Sequence, residues 1–179
     1  MFKRERERKE YKFLKKKEPE NEKKKHFKIV QPETNDVIAA CRASGVSVVA
    51  YTPLAQGLLT GKYHPEGKGE KGSPLPGGPR AATITAARIA EVAPLVSLLR
   101  IIGGAHAAEG DGAARTPAQV ALNWCLCKGA LPIAGVKSAR QAASAAGSMG
   151  WRMTDAEVGE LDAVSSRITP GLGFPTENW

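Results

Sequence analysis

Two stretches carry residue types that could hold an anionic ligand. The first is Val46 to Tyr63, VSVVAYTPLAQGLLTGKY. Val46, Val48, Val49 and Ala50 make a short apolar, largely β-branched run that predicts a buried strand. Tyr51 and Thr52 stand at its C-terminal end, and Pro53 takes the chain out of regular pairing. Gly57, Gly61 and the cation Lys62 follow. A strand that opens into a Gly-containing loop at its C-terminal end is where α/β folds place ligands. Small residues let the backbone approach a ligand, and loop N–H groups with Lys62 favour an anion such as a pyrophosphate. The same pattern also describes an ordinary buried strand and turn, and spacing alone does not separate the two.

The second stretch is Ala130 to Gln141, ALPIAGVKSARQ. Ala130 to Val136 predicts another short buried strand, with Gly135 at its end. Lys137 and Ser138 then open a helix, with Ser138 as the cap and Gln141 three residues later. A free helix N-terminus beside a lysine is suited to an anion, the dipole and the charge each contributing about 0.3–1 kcal/mol when exposed.

The elements that must position these stretches are mostly helices. Thr34 to Ser44 reads as a helix capped by Thr34 or Asn35, with Val37, Ile38 and Cys41 on one face and Gly45 as its stop. Thr83 to Gly103 has a helical pattern that Pro94 is expected to divide, leaving Leu95 to Ile102 as a second helix. Thr116 to Lys128 is a clear helix: Thr116 caps, Pro117 takes the first position, Gln119 completes a capping box, and Val120, Ala121, Trp124 and Cys127 form the apolar stripe. Thr154 to Glu157 is a further capping box, followed by Val158, Leu161 and Val164 at helical spacing. Between these lie a Gly/Pro loop over residues 64–80 and a loose small-residue stretch over 103–115. His106 in the latter has no acid at a clear spacing, and neither it nor His26 is assigned a role.

The charge is unevenly spread. Of the formal net charge of +8, residues 1–28 carry +7, so the basic character belongs to a tail and not to the domain. That tail is too charged and too poor in apolar residues to order itself, and it reads as a disordered low-complexity segment. Lys15–Lys17 and Lys23–Lys25 are also spaced like a two-part nuclear import signal. Without interleaved aromatics the tail does not read as a nucleic-acid site. No apolar run reaches the roughly 18 residues of a membrane span, and no apolar leader or transit peptide is visible. Cys41, Cys125 and Cys127, an odd and sparse set, read as reduced thiols of an intracellular, cytoplasmic protein, with no spacing for a zinc site.

The stretch VVAYTPLAQGLLTGKY, the helix RTPAQVALNW, the segment LPIAGVKSARQ and the ending ITPGLGFPTENW together resemble the aldo-keto reductases, in particular a plant, chloroplast-type branch. The resemblance runs from about Pro32 to Trp179. It implies an α/β fold: the C-terminal portion of a (β/α)8 TIM barrel, incomplete, with about two strands plus helices over residues 29–179 behind the tail of residues 1–28. It implies NADP as cofactor. Tyr51 would stack on the nicotinamide, Thr52, Pro53, Leu54, Ala55 and Gly57 would line the pyrophosphate, and Lys62 would add charge there. Gly135, Lys137, Ser138 and Gln141 match the residues around the adenosine 2′-phosphate. Ala143, Ser144 and Ala145 stand where the family has Arg, Glu and Asn, which is expected to weaken the adenosine end. Arg80 matches an arginine over the cofactor in some relatives, and reads equally as a solvated loop residue.

The family transfers hydride between NADPH and a carbonyl with a Tyr, Lys, His and Asp that precede the matched region, so no catalytic residue is carried over. A barrel of this kind takes roughly 250 residues. The chain is therefore expected to be a truncated, inactive reductase with a partial cofactor site. The alternative is a non-catalytic nucleotide-binding or regulatory partner of a full-length reductase. Alone, it is expected to expose apolar faces of both strands and of the Trp124 helix.

Overall fold

The computed structural model describes residues 35–63, 84–107 and 112–168, together with Leu75 and Ala81. The tail of residues 1–28, Thr34, Arg80 and residues 169–179 of the ending lie outside the described residues.

Helix α1 spans Asn35–Ala43. It stops at Gly45, whose φ of 66° suits glycine. The Val46 N–H turns back to the Cys41 carbonyl at 2.8 Å. Strand β1, Val48–Tyr51, follows and pairs in parallel with β2, Ala130–Ile133. The register sets Val48 opposite Ala130 and Tyr51 opposite Ile133. A parallel pair needs a long crossover, and here it runs through a 3-10 segment, Ala55–Thr60, and helices α2, Ala86–Ala105, and α3, Pro117–Cys127. Helices α4, Ala139–Ala146, and α5, Asp155–Ser165, complete the described residues.

Both strand sequences read as buried strands, yet each is buried on one face only, and the other face is exposed as expected for this chain alone. Ala50 and Ala130 point into the core, whereas Val49, Leu131 and Ile133 are 49%, 62% and 57% exposed. Alternation explains this: successive side chains take opposite faces, and the helices cover one of them. The Trp124 helix, in contrast to the expectation, is not exposed. Trp124 is 1% exposed and α3 is the centre of the core, packed against α2, β2, α4 and the 3-10 segment.

Pro94 does not divide its helix. Helix α2 runs unbroken through it, with Thr85 as the N-cap accepting from the Arg88 N–H. An interior proline costs about 3 kcal/mol. Val92, Leu95, Val96, Leu99 and Ile102 of the same helix are each 3% exposed or less, and burying each contributes about 1.5–3 kcal/mol. Packing therefore outweighs the break, and Pro94 itself sits on the exposed side. No helix among the described residues is long and apolar enough to cross a membrane.

Candidate functional site

The parallel register brings the C-terminal ends of β1 and β2 side by side, so the loop after each strand leaves from the same edge. The loop after β1 is held in an unusual shape. Thr52, Ala55 and Gln56 have φ of 52°, 47° and 55°, and Gly57 and Gly61 have 102° and 78°. Three non-glycine residues in the left-handed region within five positions store backbone strain, which concentrates at functional sites. Local hydrogen bonds maintain it: the Gly57 N–H donates to the Leu54 carbonyl at 2.8 Å, and the Thr60 hydroxyl to the Gly57 carbonyl at 2.7 Å.

Between this loop and the segment after β2 lies a cleft of about 670 Å³. Its lining includes Tyr51, Thr52, Pro53, Leu54, Gly57, Lys62, Gly135, Lys137 and Gln141, so nine of the eleven residues singled out in the sequence meet there. Of the other two, Ala55 is buried beneath the loop at 4% exposure, and Ser138 caps α4. An adjoining cleft of about 530 Å³, reaching toward α3 and α4, shares Leu54, Lys62, Gly135 and Gln141 and adds Arg140. Sequence reading passed over Gln56, Thr60 and Arg140. Arg140 stands one helical turn after Lys137, a spacing that could have found it.

The N-terminus of α4 is not free, as the sequence had suggested. The Ser138 hydroxyl accepts from the Gln141 N–H at 3.3 Å, and Gln141 Oε1 accepts from the Lys137 N–H at 2.7 Å. Two donors that could have met an anion are thus used in capping, which leaves the side-chain cations as the main attraction. Lys62, Lys137 and Arg140 line the clefts, and among the described lining residues there is no Asp, Glu or His. The described lining is therefore positively charged.

The other ionisable cluster is structural in its connections. His106 Nε2 lies 2.8 Å from Glu157 Oε1, across 51 residues of sequence, and its ring packs 4.9 Å from that of Trp151. The Arg115 guanidinium sits over the same indole at 5.6 Å and donates to the carbonyls of His106 and Gly147. Burial works to raise the Glu157 carboxyl, but hydrogen bonds from the Thr154 N–H and hydroxyl, together with His106, outweigh it and hold it below its ordinary value. Burial pushes the Cys125 thiol up to about 12, so it stays protonated. No three metal-ligating side chains converge among the described residues.

Residues 23–166 match the profile of the aldo/keto reductase family. The chain is 34% identical over 130 residues to the chloroplastic pyridoxal reductase of Arabidopsis thaliana, covering 73% of this chain and 32% of that protein. It is 29% identical over 156 residues to the NADP(+) aldo-keto reductase yakc of Schizosaccharomyces pombe, covering 82% and 43%. Among solved structures, a glycerol dehydrogenase from Gluconobacter oxydans superposes with a TM-score of 0.56 at 21% identity, over 83% of this chain and 43% of that one. The chain thus spans 32% to 43% of the length of these relatives.

Proposed function

The chain belongs to the aldo/keto reductase family, and from that premise we propose that its two loops form a binding site for a nicotinamide dinucleotide phosphate, the cofactor-holding share of a carbonyl oxidoreductase. One observation carries the reading: two segments about 80 residues apart meet at one sheet edge, and the clefts between them present three cations and no carboxylate among the described lining residues. A ligand with several phosphates fits that donor set. That the Schizosaccharomyces pombe relative is an NADP(+) aldo-keto reductase supports the same cofactor.

When bound, the dinucleotide supplies the hydride that the family exchanges with carbonyl compounds. The residues of this chain would do the holding. Lys62 and Lys137 would neutralise phosphate charge from opposite sides of the larger cleft, and Tyr51, half-buried at the strand end, would offer an aromatic wall. Gln141 and Ser138 would keep the start of α4 rigid beneath Lys137. Proton transfer to a carbonyl is not assigned to these residues, since no Asp or His stands among the described lining of either cleft.

The test is a fluorescence titration of the purified chain with NADPH. Saturable binding is expected, weakened about two- to fivefold by Lys137→Ala, the loss of one exposed charge contact. Absence of saturable binding in the folded wild-type chain would falsify the reading.

A further inference from the structure

We infer that Tyr63 and Gly57 are positioning residues that hold the Lys62 ammonium over the mouth shared by the two clefts, ready for a phosphate group. The inference rests on the nucleotide reading above and assigns the residues that prepare its cation.

Lys62 is the one charged side chain that lines both clefts among the described residues. It is exposed, and an exposed lysine normally spreads over many rotamers. Two contacts restrict this one. Its Nζ lies 4.5 Å from the centroid of the Tyr63 ring, a cation–π distance. Its end also folds over Gly57, where an added Cβ would meet both Cε and Nζ at 3.3 Å. Both supports are themselves fixed. Tyr63 is 8% exposed and belongs to the core. Gly57 has a φ of 102°, a backbone shape that side-chain-bearing residues rarely take. The Thr60 hydroxyl ties the two ends of the device together: it donates to the Gly57 carbonyl at 2.7 Å and accepts from the Lys62 N–H at 3.4 Å.

The consequence is preorganisation. A cation already confined at the cleft mouth loses less rotamer freedom when an anion arrives. Its ring contact is weaker than a charge-assisted hydrogen bond to phosphate, so the ammonium can pass from the ring to the anion. Tyr63 thus acts through Lys62 and needs no contact with the ligand.

A double-mutant cycle on the full chain tests this, with NADPH and inorganic pyrophosphate as probes. Tyr63→Phe, which keeps the ring face, is expected to bind like wild type. Tyr63→Leu is expected to lose about two- to fivefold in affinity, and to have no further effect in a Lys62→Met background. In the unliganded wild type, the Lys62 ε-methylene protons are expected to show an upfield ring-current shift by NMR, which diminishes when either probe is added; this readout needs no variant. Ordinary lysine shifts in the free chain, or an equal Tyr63→Leu effect in the Lys62→Met background, would overturn the inference. Wild-type binding of NADPH that is indifferent to Lys62→Met overturns this inference alone. Binding of neither probe overturns it together with the nucleotide reading.

Discussion

The indole nitrogen of Trp124 donates to Asp162 Oδ1 at 3.1 Å, fastening the central helix α3 to α5. The second oxygen of the same carboxylate takes the Lys128 ammonium, which lies 5.1 Å over the Trp124 ring. One carboxylate therefore satisfies a buried donor and a half-buried cation at once. Asp162→Ala is expected to cost about 1–3 kcal/mol in urea unfolding, because the indole N–H loses this acceptor and the ammonium its counter-charge. Asp162→Asn keeps an oxygen for the indole and is expected to lie between the two. An Asp162→Ala chain as stable as wild type would show that water replaces the carboxylate at no cost.

Asn123 is the polar anchor of the core. It is 1% exposed, and its amide donates to the carbonyls of Ser148 and Trp151, each at 2.9 Å, while its oxygen accepts from the Met153 N–H at 3.3 Å. It thus holds the turn that leads from α4 to α5. Asn123→Leu keeps the branched outline of the side chain but leaves backbone groups on three residues without this partner. A loss of about 3 kcal/mol or more is expected by denaturant unfolding, since each unsatisfied buried group costs about 1–3 kcal/mol.

The parts of this fold that sequence reading captured are those whose cause is local. The caps at Thr116, Ser138 and Thr154 each act within four residues, and each is in place. What escaped depends on packing between distant elements. The acid facing His106 is 51 residues away and meets it because α2 lies against α5. Pro94 carries a strong local signal for a break, yet the burial of Leu95 and Leu99 overrides it. The continuous apolar runs of β1 and β2 announce a strand but cannot say whether both faces are covered. At the candidate site, Tyr51 and Gly135 became neighbours in the reading only through resemblance, because nothing local in either segment points to the other. Lys62 was legible as a cation but not its seat on Tyr63, which needs the folded loop.

Glu157 gives the chain an acid-sensitive joint. It sits at the third position of α5, where its carboxylate accepts from the Thr154 N–H at 2.8 Å and faces His106. Its folded pKa lies below the ordinary 4.5. A carboxyl depressed by folding contributes stability above its unfolded pKa and loses it as pH falls through the lower folded value. Glu157→Gln keeps an acceptor oxygen and removes the titration. The wild-type advantage over Glu157→Gln is therefore expected to be full above the ordinary value of 4.5 and to shrink as pH falls below it, read from urea midpoints. An advantage that does not change as pH falls would exclude the linkage.

The three thiols should separate by reactivity. With a pKa raised by burial to about 12, Cys125 has on the order of one part in a hundred thousand as thiolate at neutral pH. It is also 0% exposed, whereas Cys41 and Cys127 are half-buried. Alkylation with an exposed-thiol reagent, followed by mass spectrometry, is expected to label Cys41 and Cys127 first and Cys125 only at the rate of unfolding. Labelling of Cys125 at a comparable rate in the native chain would show that α3 opens locally.

The exposed sheet face predicts how the isolated chain behaves in solution. Val49 and Leu131 are directly opposite in the register, and Ile133 lies two residues along on the same side. These three are 49%, 62% and 57% exposed. Parallel sheets are ordinarily covered on both faces, and adjoining exposed apolar side chains promote association. Leu131→Thr with Ile133→Thr places β-branched, strand-compatible side chains at both positions and makes the face polar. Light scattering across a concentration series is expected to show self-association of the wild-type chain and a marked reduction in the double variant. Unfolding free energy should shift by about 1 kcal/mol or less, because neither side chain contributes to the core. If the double variant associates as strongly as wild type, the adhesive surface lies elsewhere, with exposed Ile101 and Met149 as the next side chains to replace.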